Sequence, residues 1–253
     1  MVDAALLADT SGRFLLDDVN AHHVLRVLRV RSGELITLTD GAGAWVTTVM
    51  EAAHSGAWLI QAGELQTTDV VRPFVEVGFA LTKADKPEWV IQKLTELGVN
   101  SVAPLIAERS IVRWDSEKVA KNTARFRLIA REAVQQSRQT WLPTIHAPQS
   151  VSHFASVRVP GTLARCDRGG ISIDVFFRAA VRTLVGDPPT VDGTEAPDAN
   201  VSVIVGPEGG WSADEREWIP TSVGLAEPIL RAETAAVVAG TLLVDSRNRW
   251  LTE

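Results

Sequence analysis

The sequence predicts an α/β protein in which a small barrel or sandwich of short strands precedes a larger domain built on a mostly parallel sheet. Short β-type runs separated by turn residues fill the first part, which is the pattern of a small barrel or sandwich. After Pro73, strand-like runs alternate with helix-like runs, an order typical of parallel sheets. The chain has 253 residues, of which 45% are hydrophobic, so it is long enough to bury a substantial core. We therefore predict two domains, at residues 1–71 and 72–253.

The elements follow from hydrophobic periodicity and from breaker residues. In the first domain, strands are predicted at 35–38, 45–49 and 57–60, separated by turns that contain Gly43 and Gly56, and a helix is predicted at 20–30. In the second domain, strands are predicted at 74–81, 101–106, 161–165 and 201–205, and helices at 86–97, 116–136, 173–185 and 233–247. The polar interval 186–200 is predicted to be a loop that carries no chemistry.

Charge and cysteine content narrow the function classes. The formal net charge of −6 argues against indiscriminate binding to nucleic acid, yet residues 109–138 contain eight lysines and arginines and only three acids. Such an interval is either a solvated helix face or a binding surface. The single cysteine, Cys166, excludes an internal disulfide and a multi-cysteine metal site. No apolar run reaches 18 residues and the N-terminus lacks the pattern of a secretory signal, so we expect a cytosolic protein without a membrane span.

A glycine-rich turn follows the predicted strand at 201–205. It reads Gly-Pro-Glu-Gly-Gly from Gly206 to Gly210, and Ser212 with Glu215 forms the Ser-x-x-Glu box that begins a helix. Glycines permit positive φ and remove Cβ atoms, so that backbone amides and carbonyls can read the edge of a ligand. The turn matches neither a phosphate loop nor Gly-x-Gly-x-x-Gly. A simple tight turn explains the same residues.

A second segment, residues 225–236, is an apolar loop that carries one arginine, Arg231, before Glu233 and Thr234 open a helix. The positive end of that helix dipole faces the same region. A surface salt bridge is the alternative explanation of Arg231.

Together the two segments resemble the RsmE family of SPOUT methyltransferases, the 16S ribosomal RNA uracil-N3 enzymes. The resemblance rests on Gly-Pro-Glu-Gly-Gly at 206–210 and on Ile-Leu-Arg-x-Glu-Thr-Ala at 229–235. It extends upstream to Lys83, Lys93 and Glu96-Leu97-Gly98, to the Arg109-Ser110 pair, to the segment 132–138, and to His23, Leu25 and Arg26, so it covers nearly the whole chain.

The resemblance implies a PUA-like β-barrel followed by an α/β domain with a deep trefoil knot, a homodimer, the cofactor S-adenosylmethionine, and 16S rRNA of the 30S subunit as partner. Knots are exceptions to ordinary connection rules, so the knot enters by resemblance alone. Three loops would hold the cofactor. The residues implied are Leu163, Ala164, Val205, Gly206, Pro207, Gly209, Gly210, Leu225, Ile229, Leu230, Thr234 and Ala235.

The third loop departs from the family pattern. Where the family usually has Leu-Gly-x-Arg, this chain has Leu225-Ala226-Glu227-Pro228, and it therefore lacks a glycine and an arginine. We expect Arg231 or Arg165 to take over part of the RNA-binding or catalytic role of the missing arginine.

The chemistry of methyl transfer to uracil N3 suggests roles for individual side chains. A sulfonium methyl group is already electrophilic and needs no metal, whereas uracil N3 carries a proton at neutral pH. One cation near the uracil carbonyl oxygens favours loss of that proton, and Arg231 is our first candidate. Glu233 or Glu208 either accepts the proton or orients Arg231. Helix-terminus charge and loop hydrogen bonding explain the two glutamates equally well.

N3 lies on the Watson–Crick edge, so the target base must be unpaired or flipped out. The arginines expected to bind RNA are Arg109, Arg125, Arg131 and Arg138, with Arg26 and Arg29 from the barrel. Trp211 either stacks on a base or packs in the turn, and packing is favoured.

Two other functions stay open. One is a knotted methyltransferase that acts on a ribose 2′-hydroxyl or a transfer RNA base. The other is a non-catalytic RNA-binding or ribosome-assembly protein that kept the fold, which the altered loop at Ala226 and Pro228 permits. A measurement of S-adenosylmethionine affinity distinguishes this binding protein from an enzyme, because a protein that only binds RNA need not retain the cofactor pocket.

Overall fold

The computed structural model describes residues 1–9, 11–52, 57–83, 85–185 and 200–253. Gly56 and all but the last residue of the polar loop predicted at 186–200 lie outside the described residues. The chain forms two compact units. The first comprises Met1–Val70 with Val134–Leu142, and the second comprises Val71–Ala133 with Pro143–Glu253.

The first unit is built on a five-stranded antiparallel sheet. Its strands are β1 (Arg13–Leu15), β2 (Leu35–Thr39), β3 (Ala44–Ala52), β4 (Ala57–Gln61) and β5 (Gln66–Thr67). They run in the order β1-β4-β3-β2, with β5 also pairing with β3. The three predicted strands are confirmed as β2, β3 and β4. Phe14, Met50 and Leu59 fill a core between the sheet and the helical segments that cover it.

The helix predicted at 20–30 is shorter and divided. A short helix, α1 (Ala4–Leu7), precedes it in the chain. Helix α2 spans Asp18–His22 and is capped by Asp17, whose side chain accepts a hydrogen bond from the Asn20 amide at 2.8 Å. A π-helical turn, His23–Val27, follows. Its wider turn is visible in the bond from the Leu28 amide to the His23 carbonyl.

A segment from much later in the chain completes the first unit. The Gly43 amide donates to the Thr140 carbonyl at 3.0 Å, and the Leu142 amide donates to the Gly41 carbonyl at 2.8 Å. The indole of Trp141 donates to the Thr68 carbonyl at 2.8 Å. The sequence offered no local sign that residues 134–142 belong with this unit.

The second unit contains a seven-stranded sheet in which every pairing is parallel. Its strands are β6 (Phe74–Ala80), β7 (Ser101–Ile106), β8 (Thr144–Ile145), β9 (Gln149–Ser150), β10 (Leu163–Ser172), β11 (Asn200–Val205) and β12 (Ser222–Gly224). The order is β12-β10-β11-β6-β7-β8, with β9 beside β7. The parallel sheet predicted from the sequence is confirmed.

Helices flank these strands. They are α3 (Lys86–Glu96), α4 (Ser116–Ser137), α5 (Val151–Ser156), α6 (Ile173–Val185), α7 (Ala213–Trp218) and α8 (Ala232–Trp250). Strands β6, β7 and β11 are almost wholly buried, as expected for central parallel strands covered on both faces. Val77, Phe177 and Leu243 belong to the largest core of this unit. None of the helices among the described residues combines the length and apolarity that a membrane crossing requires.

A buried charge lies inside this sheet. Glu76 of β6 is fully buried and accepts hydrogen bonds from the hydroxyls of Ser101 and Ser202, at 2.8 and 2.7 Å. Arg158 donates to the same carboxylate through Nε and Nη2, at 3.1 and 2.7 Å. His146 Nε2 lies 3.4 Å from its Oε1 atom. The network supplies the partners that a buried carboxylate requires.

Strand β10 is longer than the strand predicted at 161–165. Its register against β12 shifts between Cys166 and Ile171, so the intervening residues form a bulge. Gly170 allows this, because a Cβ there would lie 2.5 Å from the Val223 carbonyl carbon. Strands β8, β9 and β12 were not predicted, since two or three residues are too few to show a period.

Candidate functional site

The loops predicted to carry chemistry lie at one edge of the parallel sheet. Val205, the last residue of β11, pairs with Phe79 of β6, and Phe79 pairs with Pro104 of β7. The segments that follow these strands therefore emerge together, and residues 225–231 leave β12 in the same direction. Ligands of open α/β sheets bind outside the carboxyl ends of the strands. This edge is the candidate site.

The three glycines of the turn have different roles. Gly210 adopts φ +69°, and its amide donates to the Pro207 carbonyl at 2.8 Å. Gly206 and Gly209 do not have positive φ; they are sites of close approach. A Cβ at Gly206 would lie 2.9 Å from the Trp211 ring, and one at Gly209 would lie 3.2 Å from Arg109 Cβ. The positive φ anticipated for this turn is therefore confined to Gly210.

Trp211 packs inside the protein. Only 3% of it is exposed, and its indole nitrogen donates to the Cys166 carbonyl at 2.9 Å. It therefore ties the glycine turn to β10, and its burial leaves no face for a nucleobase. The packing interpretation of Trp211 is the one that the structure supports.

Glu215 connects two loops of the site. The predicted capping box is confirmed: the Ser212 hydroxyl accepts from the Glu215 amide at 3.2 Å, and Glu215 Oε2 accepts from the Ser212 amide at 2.9 Å. Its other oxygen, Oε1, accepts from the Glu108 amide at 2.8 Å, and Arg109 Nη1 donates to the Gly209 carbonyl at 3.1 Å. The capping motif reveals the first pair of bonds, but no sequence signal reveals the link to the loop after β7.

Arg231 occupies the N-cap of α8, where its backbone is extended (φ −65°, ψ 152°) and its side chain makes no capping bond. Ser, Thr, Asp and Asn are the preferred residues at such a position. Arg231 is exposed, and within the part of the chain that the structure describes its guanidinium has no hydrogen bond and no ion pair. The candidate cation is therefore available to a ligand.

Glu233, two residues further on, is already engaged. Its Oε1 lies 2.9 Å from the ammonium of Lys86, the first residue of α3, while its Oε2 is enclosed without a partner among the described residues. Burial alone would raise the pKa of Glu233, but the hydrogen bond from Lys86 and the charges of Lys86 and Arg231 outweigh it, and the pKa is lowered. A more acidic carboxyl is a weaker base, which favours the orienting role over proton abstraction.

Glu208 stands apart from this pair. It is exposed on the glycine turn, and the described residues show no hydrogen bond from Arg231 to it. The structure therefore brings Arg231 and Glu233 together with Lys86, a residue that the sequence did not single out as functional. A lysine at the first position of a helix was the available signal, because cations are disfavoured there.

The first predicted cofactor segment lies partly inside the sheet. Leu163 pairs with Ser202 and Ala164 pairs with Val203, so both precede the end of β11. Ala164 is fully buried in the core. The next residue, Arg165, pairs with Ile204, and Cys166 follows it with its carbonyl held by Trp211. Burial raises the pKa of the Cys166 thiol, as does the charge of Asp167.

The other predicted cofactor residues lie at or after the carboxyl ends of β11 and β12. Val205 and Pro207 are buried beside Gly206, and Leu225 and Leu230 pack partly against the core. Ile229, by contrast, is 80% exposed. On the first turn of α8, Thr234 is exposed and Ala235 is buried. The exposed isoleucine offers an apolar surface to a ligand at this edge.

Arg165, the other residue expected to replace the missing loop arginine, is engaged within the fold. It is buried, and its Nη1 donates to the carbonyls of Ile219 and Pro220 at 2.5 and 2.8 Å, while Nε lies 3.7 Å from Asp167. These bonds hold the segment before β12 against β10. They favour Arg231 over Arg165 as the residue that takes the role of the missing loop arginine, and that assignment stays a prediction.

The arginines predicted to bind RNA divide between the two units. Arg26, Arg29 and Arg138 are exposed in the first unit, and Arg29 and Arg138 have positive φ, 56° and 58°. Residues held in this region without being glycine often mark functional sites.

The other predicted RNA contacts lie in the second unit. Arg109 is bonded to the glycine turn, and Arg125 pairs with Glu88 at 3.2 Å, which raises the pKa of Arg125. Arg131 is half-buried. Among the described residues, no three His, Cys, Asp or Glu side chains are placed to hold a metal ion.

Comparison with known proteins gives two family matches. Residues 72–244 match the model of an RNA methyltransferase domain, and residues 16–57 match that of an RNA methyltransferase PUA domain. A ribosomal RNA small subunit methyltransferase E of Mycobacterium bovis is 30% identical to this chain over 248 residues, which are 96% of this chain and 90% of the relative.

Two solved structures are also similar. One is a ribosomal RNA small subunit methyltransferase E from Neisseria gonorrhoeae bound to S-adenosylmethionine, with 28% identity, a TM-score of 0.73 and 92% of each chain covered. The other is a methyltransferase from Legionella pneumophila with bound S-adenosylmethionine, with 25% identity, a TM-score of 0.74, and 91% and 90% of the two chains covered.

Proposed function

Because this chain belongs to the ribosomal RNA small subunit methyltransferase E family, we propose that it methylates N3 of a specific uridine in 16S rRNA of the small ribosomal subunit, using S-adenosylmethionine. The observation that carries the assignment is Arg231, which is exposed on the segment that follows the carboxyl end of β12 and has no hydrogen bond or ion pair among the described residues. A cation without a protein partner is what the chemistry at uracil N3 requires.

The residues at this edge fit the cofactor. Gly206 and Gly209 leave backbone bare, and Ile229 offers apolar surface to an adenosyl group. The enclosed Oε2 of Glu233 has no partner among the described residues, which suits the neighbourhood of a cationic ligand. When bound, S-adenosylmethionine supplies an electrophilic methyl group on a sulfonium centre.

The protein's own contribution is to make N3 nucleophilic. Each unit by which the pKa of the uracil N3–H is lowered corresponds to about 1.4 kcal/mol, and one desolvated guanidinium near the carbonyl oxygens supplies stabilisation of that order. In our proposal Arg231 stabilises the uracil anion that forms when N3 releases its proton to water; N3 would then take the methyl group as the bond from that group to sulfur breaks. Glu233 orients Arg231, because its own pKa is lowered and Lys86 already holds it.

Binding of the RNA is assigned to both units. Arg26, Arg29 and Arg138 of the first unit contact phosphates. We propose residues 1–71, together with the segment Val134–Leu142 that folds with them, as the RNA-binding part, and the rest of 72–253 as the catalytic part. The base is unpaired or flipped out, since N3 is otherwise hydrogen-bonded. A homodimer, a trefoil knot in the catalytic part and a reaction in the cytosol complete the proposal, all by analogy with the family.

The test is methyl transfer from labelled S-adenosylmethionine to purified 30S subunits that lack the modification, with nucleoside mass spectrometry of the product. We expect 3-methyluridine from the wild type and a loss of about a hundredfold in kcat for Arg231→Ala, with cofactor affinity retained. Arg182→Ala removes an equally exposed arginine from α6 and is the matched control.

Three results would count against the proposal. A methylated ribose would identify a different reaction, and cofactor binding without any methylation would indicate another substrate. Absence of both cofactor binding and methylation would favour a non-catalytic RNA-binding protein.

A further inference from the structure

Lys86 is placed where helix energetics do not favour it. It is the first residue of α3, and a positive side chain opposes the positive end of a helix dipole. The Asp85 side chain makes no capping bond that would offset this. The Lys86 ammonium lies 2.9 Å from Oε1 of Glu233, which is on the first turn of α8. The loop after β6 and the loop after β12 are therefore joined at the candidate site by one ion pair.

Stability is a weak explanation for this pair. The Lys86 side chain is 39% exposed and the Glu233 side chain 14%. Partly exposed ion pairs of this kind contribute little, because solvent screens them and both side chains lose freedom. The pair also leaves Glu233 Oε2 enclosed without a partner among the described residues, an arrangement that folding alone does not favour. Features that oppose stability are expected where function requires them.

The geometry points to a role through Glu233. Lys86 fixes one carboxylate oxygen, and that carboxylate lies two residues after Arg231, whose charge it feels. The Arg231 guanidinium itself has no hydrogen bond or ion pair in the described part of the chain, so its orientation is open to the influence of this neighbouring charge. We propose that Lys86 is a positioning residue of the methyl-transfer site: it holds the Glu233 carboxylate in the place from which Glu233 orients Arg231. This inference rests on the proposed function.

A double-mutant cycle tests it. Lys86→Met, Glu233→Gln and the combination are compared with wild type for kcat and KM on 30S subunits, for cofactor affinity and for thermal unfolding. We expect Lys86→Met to lower kcat about tenfold with little change in the KM for subunits. The double variant should be no slower than Glu233→Gln alone, because Lys86 acts only through that carboxylate. Lys86→Arg, which keeps a donor, should restore most of the rate.

Several outcomes overturn the inference while leaving the proposed function intact. These are a wild-type rate for Lys86→Met, a wild-type rate for Glu233→Gln, and losses that multiply in the double variant. If wild type itself forms no 3-methyluridine, the proposed function fails instead. If Lys86→Met does not fold, as its circular dichroism would show, Lys86→Gln keeps the stem and a polar end, and the same outcomes are judged with it.

Discussion

Burial decides which arginines of this chain serve the fold and which remain for a ligand. Arg165 donates to two carbonyls before β12, and Arg247 of α8 donates to Asn100 Oδ1 at 2.7 Å and to the Gly98 carbonyl at 3.3 Å. Burial lowers the pKa of Arg247 to about 10. Arg231 is exposed and has no partner among the described residues. The sequence does not distinguish these three arginines, whereas their burial and hydrogen bonds in the structure do.

The buried Glu76 should control acid stability. Burial raises the pKa of this carboxyl, but hydrogen bonds from His146, Arg158 and Ser202 and the charge of Arg158 lower it to about 2, from 4.5. Because the folded pKa lies below the unfolded one, the stabilisation is complete above pH 4.5 and is lost as the pH falls toward 2. Glu76→Gln should therefore lower the free energy of unfolding by about 3 kcal/mol at pH 7, and by much less at pH 3.

Urea denaturation followed by circular dichroism at pH 7 and pH 3 measures this difference. Glu51→Gln is the control, since Glu51 pairs with Arg13 at the surface and should contribute less than about 1 kcal/mol. An equal effect of Glu76→Gln at both pH values would show that ionisation of Glu76 is not the source of the stability.

At the scale of the element, the glycine turn keeps its conformation because neighbouring segments form hydrogen bonds with it and with the residues that follow it. Trp211 anchors it to β10, and Glu215 with Arg109 anchors it to the loop after β7. Three of its five residues are glycines, which have no side chains to fix the turn. Apart from the bond between the Gly210 amide and the Pro207 carbonyl, its order therefore depends on these three bonds from neighbouring segments.

Glu215→Gln should disturb this arrangement with little change in shape. Both carboxylate oxygens accept backbone N–H bonds, whereas an amide accepts through one oxygen only, so either Ser212 or Glu108 would lose its acceptor. A buried donor left unpaired costs about 1–3 kcal/mol. We expect cofactor affinity, measured by calorimetry, to fall about tenfold.

Glu217→Gln, on the exposed face of the same helix, should leave the affinity unchanged. If Glu215→Gln bound the cofactor as tightly as wild type, the turn would not depend on this anchor.

The sequence predicted the local parts of the site well and the long-range parts poorly. The strand before Gly206, the capping box at Ser212 and the helix after Arg231 follow from spacing, because each is set by neighbours in the chain. The Lys86–Glu233 pair and the bond from Glu108 to Glu215 join residues far apart in sequence, and no periodicity encodes them. The positive φ of Gly210, and its absence at Gly206, likewise required coordinates.

At the scale of the whole molecule, the first unit is discontinuous in sequence. Residues 1–70 fold with Val134–Leu142, although residues 71–133, which lie between them in the sequence, belong to the second unit. Helix α4 begins in the second unit, and its last residues belong to the first. A domain of about seventy residues has a small core, so the loss of even a short segment matters.

A fragment ending at Val70 should therefore fail to fold alone. It would leave Gly41 and Gly43 without the bonds to Leu142 and Thr140, and the Thr68 carbonyl without the Trp141 indole. We expect poorly dispersed amide signals in its nuclear magnetic resonance spectrum, and a dispersed spectrum when residues 134–142 are attached through a flexible linker. The same linker carrying Trp141→Ala is the control and should recover less structure. A well-dispersed spectrum from residues 1–70 alone would mean that the later segment docks on a unit that is already folded, and that its bonds add to the stability of this unit without being required for its fold.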